Sequence, residues 1–311
     1  MIFILTIIFN IYMEEYITQI YNKLKKSHEG KNADYIPELK KVNPQLYAIS
    51  IYTVDGQAYN IGDYDTEFAI ESCSKVFTLA LALKKYGIQE IKKKIGENKT
   101  LIKFNSIQEI MDNKNHTINS FSNGGAMATT SLLYEKNMKN YIKKIINNMS
   151  AFAGRTLHMN EKIYLSEINN AEHNLAIAHL LKSYNMFYGE VHPCVDVYTQ
   201  QCSVMTTSQD LAIMAATLAN KGVNPKTKKR IVDSKYISYI LNHMEENGLY
   251  EESNHWMEQI GFPAKSGVGG GLLVIIPGIM GIGIFSPRLN KHGNSVKGIK
   301  TMKLLSKIFD K

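Results

Sequence analysis

The sequence is short of the residues that staple small folds or hold metals. Only three cysteines occur in 311 residues, Cys73, Cys194 and Cys202. An odd number without paired metal-type spacing excludes a disulfide framework or a cysteine zinc site, and it fits reduced thiols in a cytoplasm. The nine histidines contain no His-x-x-x-His or His-Glu-x-x-His arrangement, so neither a metal nor another cofactor is expected. Arginine is scarcer still: Arg155, Arg230 and Arg288 are the only three in a chain of net charge +8. Arginine is the usual reader of phosphates and base edges, so a nucleic-acid partner is not expected. Lysine runs such as Lys92-Lys93-Lys94 and Lys228-Lys229-Arg230 read instead as solvated helix faces or turns. Apolar runs are short as well. The opening MIFILTIIFNIY is too short to span a bilayer, has no basic residue before it and has no small-residue cleavage site after it. Stable membrane association is not expected; translation starting at Met13 and a weak surface anchor are two readings of that run.

What is present is an ordinary globular composition, 44% hydrophobic and 21% charged, in a chain long enough to bury a large core. Residues 14 to 27 have an amphipathic helical pattern. LYAISIYTVDGQAYNIGD then alternates apolar and polar positions around Asp55-Gly56, which predicts a β-hairpin. From Ser72 the period becomes helical. VFTLALALKKYG is apolar nearly all round and stops at Gly87, and further helices are expected over 131–150, 160–183 and 207–221, the last capped by Thr207 or Ser208 and ended by Gly222. Past residue 260, GGLLVIIP and IMGIGIFSP flank Gly278 as two strands, and a helix over 296–309 closes the chain. Strands at both ends and helices between them predict an α+β fold. Residues 1–70 and 251–311 form a discontinuous antiparallel sheet domain with terminal helices, 71–250 form an inserted all-helical domain, and the cleft between them is the expected active site.

Ser72-Cys73-Ser74-Lys75 sits where the hairpin region hands over to the apolar helix. Residues three apart share a helix face, so the Lys75 amine can lie beside the Ser72 hydroxyl. A lysine held in a low-dielectric core has a depressed pKa and can take the proton of a serine nucleophile. Alone the pair fits an N-cap and a snorkelling lysine as well, but the eight residues after Lys75 are apolar apart from Thr78. Downstream, PAKSGVGGG carries Lys265-Ser266-Gly267 at the opening of a strand. Ser-x-x-Lys followed by Lys-Thr-Gly marks β-lactamases and penicillin-binding proteins, and Lys-Ser-Gly is a near match. A backbone N–H such as that of Val268 would complete an oxyanion hole there, and the glycines would let substrate approach the backbone.

Seven motifs in order give a closer resemblance, over residues 28 to 308, to the serine-dependent glutaminases in their short bacterial form. NADYIPEL resembles V-A-D-Y-I-P-x-L and puts Tyr35 on a substrate-binding tyrosine. ESCSK resembles Q-S-x-S-K, with Ser72 as nucleophile and Lys75 as its partner. NSFSNGGAM resembles N-P-x-x-N-A-G-A-I and supplies Asn123, while SEINNAEHNLAI has the Glu-x6-Asn spacing of Glu167 and Asn174. Seven residues are two helical turns, so both side chains are expected to point the same way. DVYTQQCS supplies Tyr198, GLYEES puts Tyr250 on the proton-transfer tyrosine, and GFPAKSGVGGG supplies Lys265 and Val268. The resemblance implies a β-lactamase/transpeptidase-like fold, hydrolysis of the side-chain amide of L-glutamine through a γ-glutamyl-serine intermediate, and a homodimer or homotetramer. Ser120, Gly124 and ENKT at 97–100 depart from the pattern in loops. A penicillin-interacting hydrolase of the same superfold and a catalytically silent glutamine binder are the alternative readings.

Overall fold

A computed structural model of the chain describes residues 2–99, 106–112 and 115–309, so Thr100 of the ENKT segment lies outside the described residues. The hairpin forms where alternation predicts it: β1 (Ala48–Thr53) pairs antiparallel with β2 (Ala58–Gly62) across a turn in which Gly56 has φ +104°. A two-residue pair follows, β3 (Phe68–Ala69) with β4 (Met205–Thr206). Then β5 (Ala264–Ser266), β6 (Gly271–Ile276) and β7 (Met280–Phe285) join the first hairpin in one five-stranded antiparallel sheet, ordered β2-β1-β7-β6-β5. The last strand in sequence thus pairs with the first, and the central stretch of the chain loops out between them.

Both faces of the sheet are covered, which is why β6 is apolar and buried at every position. One face carries the terminal helices Ile2–Leu24 and Val296–Leu305: Met13, Ile17 and Ile20 pack with Ile282, Ile284 and Met302. The other face carries the Ser208–Ala219 helix, at very close range. Side chains alternate along β7, so Ile282 and Ile284 point one way and Gly281 and Gly283 the other. A Cβ on Gly281 would lie 2.1 Å from the backbone nitrogen of Ala216, and one on Gly283 2.0 Å from the carbonyl oxygen of Ser208. A reciprocal cap between Thr207 and Asp210 starts this helix, and Arg155 grips Asp210 through Nε at 2.8 Å and Nη2 at 2.6 Å.

Several helices differ from their sequence patterns. The first begins at Ile2, well before residue 14, and stops at Leu24. No helix among the described residues is long and apolar enough to cross a membrane. Gly87, at φ 76° and ψ 169°, interrupts the helix begun at Ser74 where expected, but helical residues resume and run to Ile95. The 131–150 pattern is two helices, Asn123–Leu132 and Met138–Ala153, the second capped by Asn137. The 160–183 pattern also divides, into Glu161–Ile168 and Glu172–Ser183. Here Asn170 turns its side chain back to the Ser166 carbonyl at 2.8 Å, a local bond that competes with helix propagation. Glu167 and Asn174 therefore sit on two helices and not two turns apart on one.

Candidate active site

The segment that carries Ser72 is set by a strained backbone. Glu71 adopts φ +51°, a left-handed conformation that costs a non-glycine residue on the order of 1 kcal/mol or more. A single tight turn, Glu71–Cys73, then runs into the helix that starts at Ser74. That helix is buried through Leu83, so Lys75 is only 1% exposed. A buried ammonium needs acceptors for its protons. Lys75 Nζ donates to the Phe121 carbonyl at 2.9 Å and to Asn123 Oδ1 at 2.8 Å.

A second lysine enters from β5. Lys265 is fully buried, and its Nζ donates to the carbonyls of Gly248 at 2.9 Å and Ser266 at 2.8 Å. Burial, and after it the nearby charge of Lys75, hold its amine well below the usual lysine range. The Tyr250 ring lies against both lysine amines, 4.1 Å from Lys265 Nζ and 5.9 Å from Lys75 Nζ at its centroid. Tyr250 also has a left-handed backbone, at φ +56°. Its phenol is raised above the ordinary tyrosine range by burial, an effect that the neighbouring Ser72 side chain partly offsets. Ser72, Lys75, Tyr250 and Lys265 thus meet in one place, though they come from a turn, a helix and a strand far apart in sequence.

The remaining predicted residues face this group. Tyr198 donates to Asn123 Oδ1 at 3.4 Å, and Asn123 Nδ2 reaches Asn174 Oδ1 at 3.5 Å. Glu167 is half-buried as a residue, with its carboxyl turned inward to Ser203 Oγ at 3.4 Å and to Glu71. Burial is the main reason that its pKa rises to about 7. Tyr35 is 60% exposed, yet its phenol is pushed up by burial at the hydroxyl end and then by the charges of Glu71 and Glu167. A cavity of about 470 Å³ opens at the outer side of Tyr35 and Val268, with Asp34, Glu251 and His292 on its walls. It borders the serine group without being lined by Ser72 or Lys75.

Two features differ from the sequence reading. The Lys265 motif ends a strand: β5 stops at Ser266, and residues 267–270 turn back into β6. Its glycines make room for the chain itself. A Cβ on Gly267 would lie 2.7 Å from the Ile70 carbonyl oxygen, and one on Gly269 2.3 Å from that of Ala69, so this turn clamps the segment leading to Ser72. The second feature is Glu71, a 4% exposed carboxyl absent from the predicted site. Its signal was an acid standing where the motif has glutamine, in a stretch with no lysine closer than Lys75.

Comparison with known proteins bears on this arrangement. The family model described as Glutaminase matches residues 30–311. A glutaminase of Colwellia psychrerythraea is 44% identical over 290 residues, covering 93% of each chain, and one of Nostoc sp. is 42% identical over 93% of this chain and 86% of its own. Among solved structures, a probable glutaminase ybaS superposes with a TM-score of 0.93 at 41% identity, covering 96% of each chain. The fold is accordingly the β-lactamase-like fold of those structures. The chain belongs to the glutaminase family and is an amidohydrolase that converts L-glutamine to L-glutamate.

Proposed function

We propose that this hydrolysis runs through a γ-glutamyl ester on Ser72. The observation that carries the reading is the meeting of Ser72, Lys75, Tyr250 and Lys265, with the Tyr250 ring against both lysine amines and its phenol beside Ser72. Lys75, as the neutral amine, takes the proton of the Ser72 hydroxyl through the Tyr250 phenol, which gives up its own proton as it receives that of the serine, and the Ser72 oxygen attacks the side-chain carbonyl of glutamine. The N–H groups of Ser72 and Val268 hold the oxyanion. Tyr250 hands its proton to the departing ammonia and then assists the water that cleaves the ester. Lys265 supports the phenol from beneath its ring. Glu167, Asn174, Tyr198, Asn123 and Tyr35 hold the α-ammonium and α-carboxylate, so position decides which amide is cut.

This reading divides the chain into a sheet unit of residues 1–70 and 251–311 and a helical unit of 71–250, with the site where the Lys265 strand meets the Ser72 helix. It also assigns the protein to the cytoplasm, as an assembly of two or four copies, to be tested by analytical ultracentrifugation. The chemistry is tested by ammonia release from L-glutamine, with D-glutamine and L-asparagine as comparisons and Ser72→Ala as control. Turnover of L-glutamine that disappears in the variant supports the nucleophile. Turnover that survives in Ser72→Ala rejects it.

A further inference from the structure

Glu71 stands immediately before the nucleophile and is used by no step above. It is 4% exposed, and its Oε1 is buried without a donor among the described residues. The side chain is pinned: a Cβ on Gly267 would lie 3.2 Å from Glu71 Cβ, and one on Gly269 3.3 Å from Glu71 Cγ. Its backbone is strained, at φ +51°, and its carboxyl neighbours that of Glu167 closely enough for the two to interact directly. Among the described residues neither carboxyl has an ion-pair partner. Two carboxylates in such contact repel, and an undonated carboxylate oxygen in a buried site is costly. A single proton between the two removes both penalties.

We propose that Glu71 and Glu167 share one proton, making Glu71 a positioning residue that donates to Glu167 and leaves the pair with one negative charge for the substrate's α-ammonium. The inference rests on the reading of Glu167 as the ammonium site. The surroundings are consistent with that charge state. Lys75 is the basic group facing Glu71. The other titratable groups around the pair are Tyr35, Cys73, Tyr198 and Cys202, all pushed up by burial and therefore neutral in the working range.

A free amino acid with its ammonium intact requires the singly ionised pair. As pH falls through about 7, Glu167 takes a second proton into the pair and the counter-charge disappears. Below that point kcat/KM falls about tenfold per pH unit, because it reports the free enzyme. The kcat profile lacks this limb, since bound ammonium holds the pair ionised.

The test is the pH profile of kcat and kcat/KM for L-glutamine in the wild type, Glu71→Leu and Glu71→Gln. The hydrogen bond from Glu71 lowers the pKa of Glu167. Leucine removes that donor, so the acid limb of kcat/KM moves to higher pH and the value at pH 7 drops about tenfold. Glutamine keeps a donor N–H and is expected to recover most of that loss. A loss in Glu71→Leu that is equal at every pH means packing alone, and it overturns the proposal. A tenfold rise of KM in Glu71→Gln at pH 8 means that Glu71 is an ionised counter-charge, and it overturns the proposal too. Calorimetric binding of L-glutamate across the same pH range reads the pair without turnover. Binding that strengthens through pH 7 supports the pair even where Ser72→Ala retains turnover and the nucleophile assignment fails; pH-independent binding rejects the pair.

Discussion

Replacing Tyr250 with phenylalanine separates chemistry from packing at the point where the two are hardest to tell apart. The ring is 4% exposed and has Lys265 Nζ at 4.1 Å from its centroid, and phenylalanine preserves both its volume and most of that contact. What is lost is one buried hydroxyl beside Ser72. Such a group contributes at most about 1 kcal/mol to stability, so the thermal midpoint should fall by only about 2 °C. Removing a positioned proton-transfer group costs about 10²- to 10⁴-fold in rate, or about 2.7–5.4 kcal/mol on the barrier. The loss in turnover should therefore exceed the loss in stability severalfold. Ammonia release at saturating L-glutamine gives kcat, and a substrate series gives KM. On the proposed role, in which the phenol acts on Ser72 and the leaving group, kcat should carry the loss while KM changes less than about threefold. A folded Tyr250→Phe protein whose kcat stays within about threefold of wild type would refute the role assigned to the phenol.

Three further outcomes follow from the geometry. Lys265 is held well below the lysine range, so between that depressed value and the ordinary 10.5 the unfolded chain binds a proton that the fold does not. Stability must then rise with pH over that window and be lost as pH falls through the folded value, and urea unfolding of Lys265→Met should show a flatter dependence. Gly281→Ala would put a Cβ 2.1 Å from backbone, whereas Gly278→Ala, at φ +76°, meets nothing within 4 Å. The first should cost more than about 3 kcal/mol and the second about 1–2 kcal/mol, read from urea midpoints. Asn123→Ala removes an acceptor 2.8 Å from Lys75 Nζ together with the contacts to Asn174 and Tyr198, and should lower kcat/KM about 10- to 100-fold.

Much of this architecture was legible because its determinants are local. The hairpin declared itself by period-two alternation with Asp55-Gly56 at the turn, and Gly87 interrupted the buried helix where a residue at φ 76° must. The helix boundaries inside 131–150 and 160–183 were not legible, since apolar spacing continues across both breaks. What marks those breaks is side-chain bonding by asparagine, with Asn137 capping the start of the second helix and Asn170 bonding back at the end of the Glu161–Ile168 helix, in a chain so rich in asparagine that no single one stands out.

The site divides along the same line. Motif spacing brought Ser72, Lys75, Tyr250 and Lys265 into view, but it could not say what the glycines after Lys265 were for. They were read as leaving room for substrate, and three-dimensional contact shows Gly267 and Gly269 under the carbonyls of Ile70 and Ala69. That reversal matters for mechanism. A turn packed on the chain just before Ser72 fixes the Glu71 conformation, and Glu71 in turn reaches Glu167. The Lys265 strand, the Ser72 turn and the Glu167 carboxyl are thereby one mechanical unit, so a side chain introduced at Gly269 should disturb substrate affinity as well as serine reactivity if the proposed roles hold. Glycine is required there by contact between segments some two hundred residues apart, and a pattern read along one strand carries no trace of it.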